Sequence, residues 1–137
     1  MKFFTVAIVL AFVAAAAAQE LIKLTDEQKQ KVHALGAECI KETGAAEEAV
    51  RAAGKGDYSQ VDGKVKCFAK CLQGKLGYVE DGKLNEAAIQ ASLGKIVGDE
   101  QIKAIQAKCN GVKGADDCDT AFELHKCYLA ENANIQI

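Results

Sequence analysis

The 137-residue chain has no proline and no tryptophan, only two serines (Ser59 and Ser92), only two histidines (His33 and His125), and no run of basic residues. Each shortage removes something. Without proline, breaks between elements fall on the twelve glycines. With so few serines there is no Gly-x-Ser-x-Gly nucleophile elbow. A His-Glu-x-x-His zinc motif and a phosphate loop are also missing, as is the His-Asp pair a secreted phospholipase would use. The histidines form no zinc spacing with the cysteines, and no Cys-x-x-Cys occurs. A formal charge of −2 without a basic patch argues against nucleic-acid binding. Apolar and polar residues nowhere alternate for long, so strand signals are nearly absent. Asp116-Asp117-Cys118-Asp119 is acidic but lacks the EF-hand pattern, and reads as a helix start. The expectation is a protein that is not an enzyme and holds no metal and no cofactor.

What is present begins with a leader. Met1–Ala18 combines an early lysine, an apolar run interrupted only by Thr5, and a small-residue end at Ala16-Ala17-Ala18, which together read as a secretory signal peptide at 1–18. The run is shorter than the roughly 20 residues of a spanning helix, and no other segment is long enough to cross a bilayer. Without the leader, 52 of 119 residues are hydrophobic and the net charge is −3. Residues 19–137 therefore suit one secreted globular domain. Their apolar content is too high, and their charge too modest, for disorder.

Helix signals fill that domain. Thr25-Asp-Glu-Gln28 is a capping box, followed by Val32, Leu35 and Cys39 on one face, with Gly44 as a stop. Ala45–Ala53 reads as a second helix, ended by Gly54 and Gly56. Asp62 can cap a third, whose stripe is Val61, Val65, Phe68, Leu72 and Leu76. Asp81-Gly82 is a turn signal. Asn85 can cap a fourth helix carrying Ile89, Leu93, Ile96 and Val97. Gly98-Asp99 resets the chain before a fifth with Ile102, Ile105 and Cys109, and Gly111 and Gly114 break it. Asp116 or Asp117 starts a sixth, with Cys118, Ala121, Phe122, His125 and Leu129 on one face. The expected fold class is all-α, with six short helices.

Six cysteines, Cys39, Cys67, Cys71, Cys109, Cys118 and Cys127, imply disulfides in a secreted chain. Cys67 and Cys71 lie at i, i+4 on one helix and point the same way, so each must reach a different neighbour. Cys118 and Cys127 are two and a half turns apart and face opposite sides. These two exclusions reduce the possible pairings from fifteen to ten, and helix geometry goes no further.

The spacing C-x27-C-x3-C-x37-C-x8-C-x8-C, together with the leader, the length and the six-helix reading, resembles the insect odorant-binding proteins of the pheromone-binding and general odorant-binding superfamily. The x3 and the second x8 are its most specific parts. The resemblance spans essentially the whole mature chain. It implies three interlocked disulfides, Cys39–Cys71, Cys67–Cys118 and Cys109–Cys127. In the loop-entropy view each contributes about 3–4 kcal/mol, which would help a small domain tolerate a hollow interior.

The resemblance further implies a closed apolar pocket for a small hydrophobic ligand such as an odorant, a pheromone or a fatty acid, with an olfactory receptor as a further partner. The expected pocket wall is Phe68, Leu72, Leu76, Ile89, Leu93, Ile105, Phe122 and Leu129. A stripe residue faces inward whether it meets a ligand or plain core, so the sequence leaves both open for each. His125 lies on the inward stripe and is the candidate pH switch, with a purely structural histidine as the alternative. His33 lies off the stripe and receives no role. Lys64, Lys66, Lys70 and Lys75 read as solvated faces. Ile135 and Ile137 make the C-terminus either a short lid or a solvated tail.

The leading expectation is a secreted carrier that solubilises lipophilic molecules in a fluid such as sensillum lymph. A non-olfactory fatty-acid carrier in feeding or haemolymph is the alternative. A secreted helical signalling or defence protein is the alternative of another class, opposed by the acidic charge and the lack of a basic amphipathic helix. Monomer and weak homodimer both remain open.

Overall fold

The structure, a computed structural model, describes residues 25–132. The leader expected at 1–18 and the tail isoleucines Ile135 and Ile137 lie outside the described residues. Among the described residues six helices are found: α1 (Asp26–Thr43), α2 (Glu47–Gly54), α3 (Gly63–Lys75), α4 (Glu86–Val97), α5 (Asp99–Cys109) and α6 (Asp117–Glu131). A two-strand hairpin, β1 (Val79–Glu80) and β2 (Lys83–Leu84), joins α3 to α4.

Most helix starts follow the local chemistry. Thr25 and Gln28 form the reciprocal capping box, with bonds of 3.2 and 3.0 Å. Asp62, Asn85 and Asp116 accept from the backbone N–H groups of Val65, Ala88 and Asp119. Two helices lack a side-chain cap: α5, which follows Gly98, and α2, which starts two residues later than the sequence suggests, at Glu47. Before it, Gly44 closes α1 in the left-handed region, and the Ala45 N–H is taken by the Thr43 hydroxyl.

The Asp81-Gly82 turn is tighter than a plain connection. Both residues have positive φ, 52° and 74°, as the type I′ turn of a two-residue hairpin requires. Two pairs, Val79 with Leu84 and Glu80 with Lys83, form beside it, too short a ladder to leave an alternating pattern in the sequence. Between α4 and α5, Gly98 turns the chain at φ 95°. Gly94 permits their close approach, since a Cβ there would sit 2.5 Å from Asp99 Oδ1.

Three bridges join the helices: Cys39–Cys71 ties α1 to α3, Cys67–Cys118 ties α3 to α6, and Cys109–Cys127 ties α5 to α6. These are the pairs that the family resemblance implies, and their loops overlap in sequence. Cys67 and Cys71 reach different neighbours, and α6 is tied on two opposite sides.

The buried apolar residues separate into two clusters. One holds Tyr78, Ile89, Leu93, Val97, Ile102, Ile105, Cys109, Leu124 and Tyr128, from the hairpin, α4, α5 and α6. The other holds Cys39, Ala45, Ala49, Ala53, Val65, Phe68, Ala69, Leu72, Ala121 and Phe122, centred on α1, α2, α3 and α6. Half-buried Leu76 packs against both. Fully buried Gln73 of α3 donates to the Ala121 carbonyl at 2.9 Å, joining α3 to α6 at their centre.

Not every α3 lysine is a free solvated charge. Lys66 pairs with Asp119 of α6 at 2.8 Å, and Lys75 pairs with Glu42 at 3.0 Å and Glu38 at 3.3 Å on α1. The Lys66 ammonium holds the Asp119 carboxyl below its ordinary range. These ion pairs follow the same two helix contacts as the first two disulfides.

Candidate functional site

The second cluster does not fill its space. Five of its ten buried residues are alanine, whereas the first cluster has none. An alanine side chain ends at Cβ, so helices held at fixed separation by disulfides and larger neighbours leave a void beside it. Here that void is a cavity of about 310 Å³, at the small end of ligand pockets, roughly 300–1,000 Å³.

Four helices form its wall. Val32, Gly36 and Ile40 come from α1, Val50 and Ala53 from α2, and Val65, Phe68, Ala69 and Leu72 from α3; Phe122 and His125 come from α6. The cavity is partly open. Its exposed lining residues, which therefore stand at the mouth, are His33 on α1, Glu47 and Arg51 on α2, and Lys55 just past the α2 end.

Polar chemistry inside is sparse. Buried His125 places Nε2 3.3 Å from the Ala53 carbonyl, and that contact is a donated hydrogen bond when Nε2 carries the proton. Its ring stacks on Phe122 at 6.3 Å between centroids. Tyr58 meets Phe122 edge-on at 5.5 Å, and burial pushes the Tyr58 hydroxyl pKa upward. The Lys126 ammonium lies 5.3 Å from the Tyr58 centroid and 5.8 Å from that of Phe122, within cation–π range. At the mouth, Arg51 Nη2 pairs with Glu47 Oε1 at 2.6 Å. Among the described residues, no group of three or more His, Cys, Asp or Glu side chains is placed to hold a metal ion.

Residues 22–131 match the PBP/GOBP family. The chain belongs to this family. It is 34% identical to general odorant-binding protein 56a of Drosophila melanogaster over 127 residues, covering 93% of this chain and 91% of the relative. It is also 34% identical to the B2 protein of Tenebrio molitor over 113 residues, covering 81% and 87%. Among solved structures it resembles the fatty acid binding protein OBP56a from the oral disk of the blowfly Phormia regina, with TM-score 0.70 and 35% identity over 82% of this chain and 98% of that one. It also resembles odorant binding protein 7 of Anopheles gambiae, solved with an azo compound, with TM-score 0.69 and 26% identity over 81% and 90%.

Within this family fold, Phe68, Leu72, Phe122 and His125 come together around the cavity. Ile89, Leu93 and Ile105 do not join them: they lie in the other cluster, packed among α4, α5 and α6. Leu76 sits where the clusters meet. Leu129 is half-buried and belongs to neither cluster nor the cavity wall. On the last turns of α6 the fully buried position is Tyr128, one residue earlier.

Val32 belongs to the face read on α1, but periodicity does not single out His33 or Gly36 there, nor Val50 and Arg51 on α2, as wall or mouth residues. A stripe centred on Leu35 and Cys39 leaves His33 and Gly36 at its edge. One usable signal exists: alanines at 45, 49 and 53 keep a constant four-residue step, which marks an inward face with too little side chain to fill it.

Proposed function

We propose that the protein is a secreted carrier that takes a small hydrophobic ligand into the α1–α2–α3–α6 cavity and moves it through an aqueous fluid without making or breaking a bond. The cavity carries this reading: about 310 Å³ of space, walled chiefly by aliphatic and aromatic side chains and open to solvent at one side. A ligand entering it exchanges water for apolar contact at roughly 25 cal/mol per Å² of surface removed. Phe68, Leu72 and Phe122 would supply the largest contacts. Residues 1–18 would direct secretion and be removed, leaving a domain at 19–137. The oxidising route implied by three disulfides supports this.

A second reading differs in cargo rather than chemistry. Similarity to the blowfly fatty acid binding protein favours a fatty-acid carrier outside olfaction. Both readings are tested with correctly oxidised protein and a fluorescent apolar probe. Uptake is expected, followed by displacement with alcohols, esters or fatty acids. Failure to take up the probe or any competitor overturns the carrier function.

A further inference from the structure

The cavity separates its chemistry in a way that selects one kind of ligand. Val65, Phe68, Leu72 and Phe122 of the deep wall offer no side-chain hydrogen bond, and the buried polar side chain beside them, His125, has Nε2 3.3 Å from the Ala53 carbonyl. Charge is confined to the opening, where two permanent cations, Arg51 and Lys55, and the imidazole of His33 face one carboxylate, Glu47. A carboxylate that entered first would lie among apolar side chains, away from the permanent cations at the mouth. A ligand entering tail first would bring its polar end to the cations.

We infer, on the basis of the carrier reading, that Arg51 and Lys55 form a head-group subsite for an anionic amphiphile, specifically a long-chain monocarboxylate. Arg51 gives only Nη2 to Glu47, so its remaining donors are available in the planar fork that suits a carboxylate. Lys55 has no ion pair among the described residues. The nearby acid Asp57 is engaged by Ser59, whose N–H and hydroxyl donate to it at 3.0 and 2.7 Å. The end of α2 is also partly neutralised: the Ala52 and Ala53 carbonyls accept from the N–H groups of Lys55, Gly56 and Asp57. Glu47 acts as a competing anion for Arg51.

The test compares hexadecanoic acid with hexadecanol and methyl hexadecanoate as displacers of the same probe at neutral pH. The acid is expected to bind about fivefold more tightly than either neutral analogue, a modest ratio because the mouth is exposed, and the gap should narrow with added salt. In Arg51→Gln/Lys55→Gln the acid-to-alcohol ratio should collapse towards one. Glu47→Gln should instead raise that ratio, about two- to threefold, by removing the competitor. A merely structural role would not move the ratio in opposite directions. Equal affinity for acid, alcohol and ester in the wild type overturns the subsite while the carrier reading stands. If the probe is taken up but none of the three displaces it, the subsite falls and the carrier reading stands; if neither the probe nor any competitor is taken up, both fall.

Discussion

The two halves of this helical domain use the same kind of element to opposite ends. In one, α4, α5 and α6 close around Ile89, Leu93, Ile102 and Tyr128, all nearly or fully buried. Polar side chains reinforce it: Gln90 donates to Gln106, Gln106 to the Glu86 carbonyl, and Tyr128 to Asn110 at 2.6 Å. In the other, α1, α2 and α3 meet α6 through alanines and leave a cavity. Large branched side chains consume the space between helices, whereas alanines leave it open. The hollow half loses packing contacts, and covalent bridges and cross-helix ion pairs offset part of that loss.

This contrast is broken most severely by unlinking the hollow half. Replacing Cys67 and Cys118, which close a 51-residue separation, with alanine should cost about 4 kcal/mol in denaturant unfolding. Replacing Cys109 and Cys127, separated by 18, should cost about 3 kcal/mol. A larger loss from the shorter loop would mean that the packed half depends more on its bridge.

Truncating single side chains sharpens the comparison. Ile102→Ala, at a fully buried position of the packed half, should lower stability by about 3–4 kcal/mol and leave probe binding nearly intact. Leu72→Ala, at the cavity wall, should cost only about 2 kcal/mol, because that side chain already borders empty space, but should change probe affinity measurably. Equal stability losses would erase the distinction between a filled and an unfilled core.

The halves should also differ in their response to alkali. Burial, followed by the Glu86 charge, pushes the Tyr128 hydroxyl in the packed half up to about 12 from an ordinary value of 10.0. The folded state therefore holds this proton more tightly than the unfolded chain does. The associated stability is full below pH of about 10 and is lost as pH rises towards about 12. Tyr128→Phe should flatten that decline in unfolding experiments without abolishing it, since burial also raises the pKa of Tyr78 and, in the hollow half, of Tyr58.

The smallest expected effect concerns the two histidines of the hollow half. His125 is buried in the cavity wall beside Phe122, whereas His33 stands exposed at the mouth. Measured at one neutral pH, His125→Gln should change affinity for a neutral probe more than His33→Gln does. A larger change from His33→Gln would place the probe at the mouth rather than against the inner wall.

Much of the fold was legible because its signals are short-range. The hydroxyl of Thr25 and the carboxylate of Asp62 act on N–H groups three residues away. The opposed directions of Cys118 and Cys127 follow from helix pitch alone. The site was only partly legible. Inward facing could be read for Phe68, Leu72, Phe122 and His125, but the same reading applied equally to Ile89, Leu93 and Ile105, which pack against one another instead. The hairpin at Asp81-Gly82 was legible as a turn, while its two-residue strands were too short to show a period.

By itself the sequence determined most of the helix starts, the inward stripes and the cysteine spacing that marks the family. These depend on neighbours within a turn or two, or on a pattern counted along the chain. Tertiary structure alone decided which stripe borders a void, that His33 stands at its mouth, and that Lys66 and Lys75 bridge helices. A cavity is the volume left over when four helices from distant parts of the chain are fixed against one another, and no local stretch of sequence contains that difference.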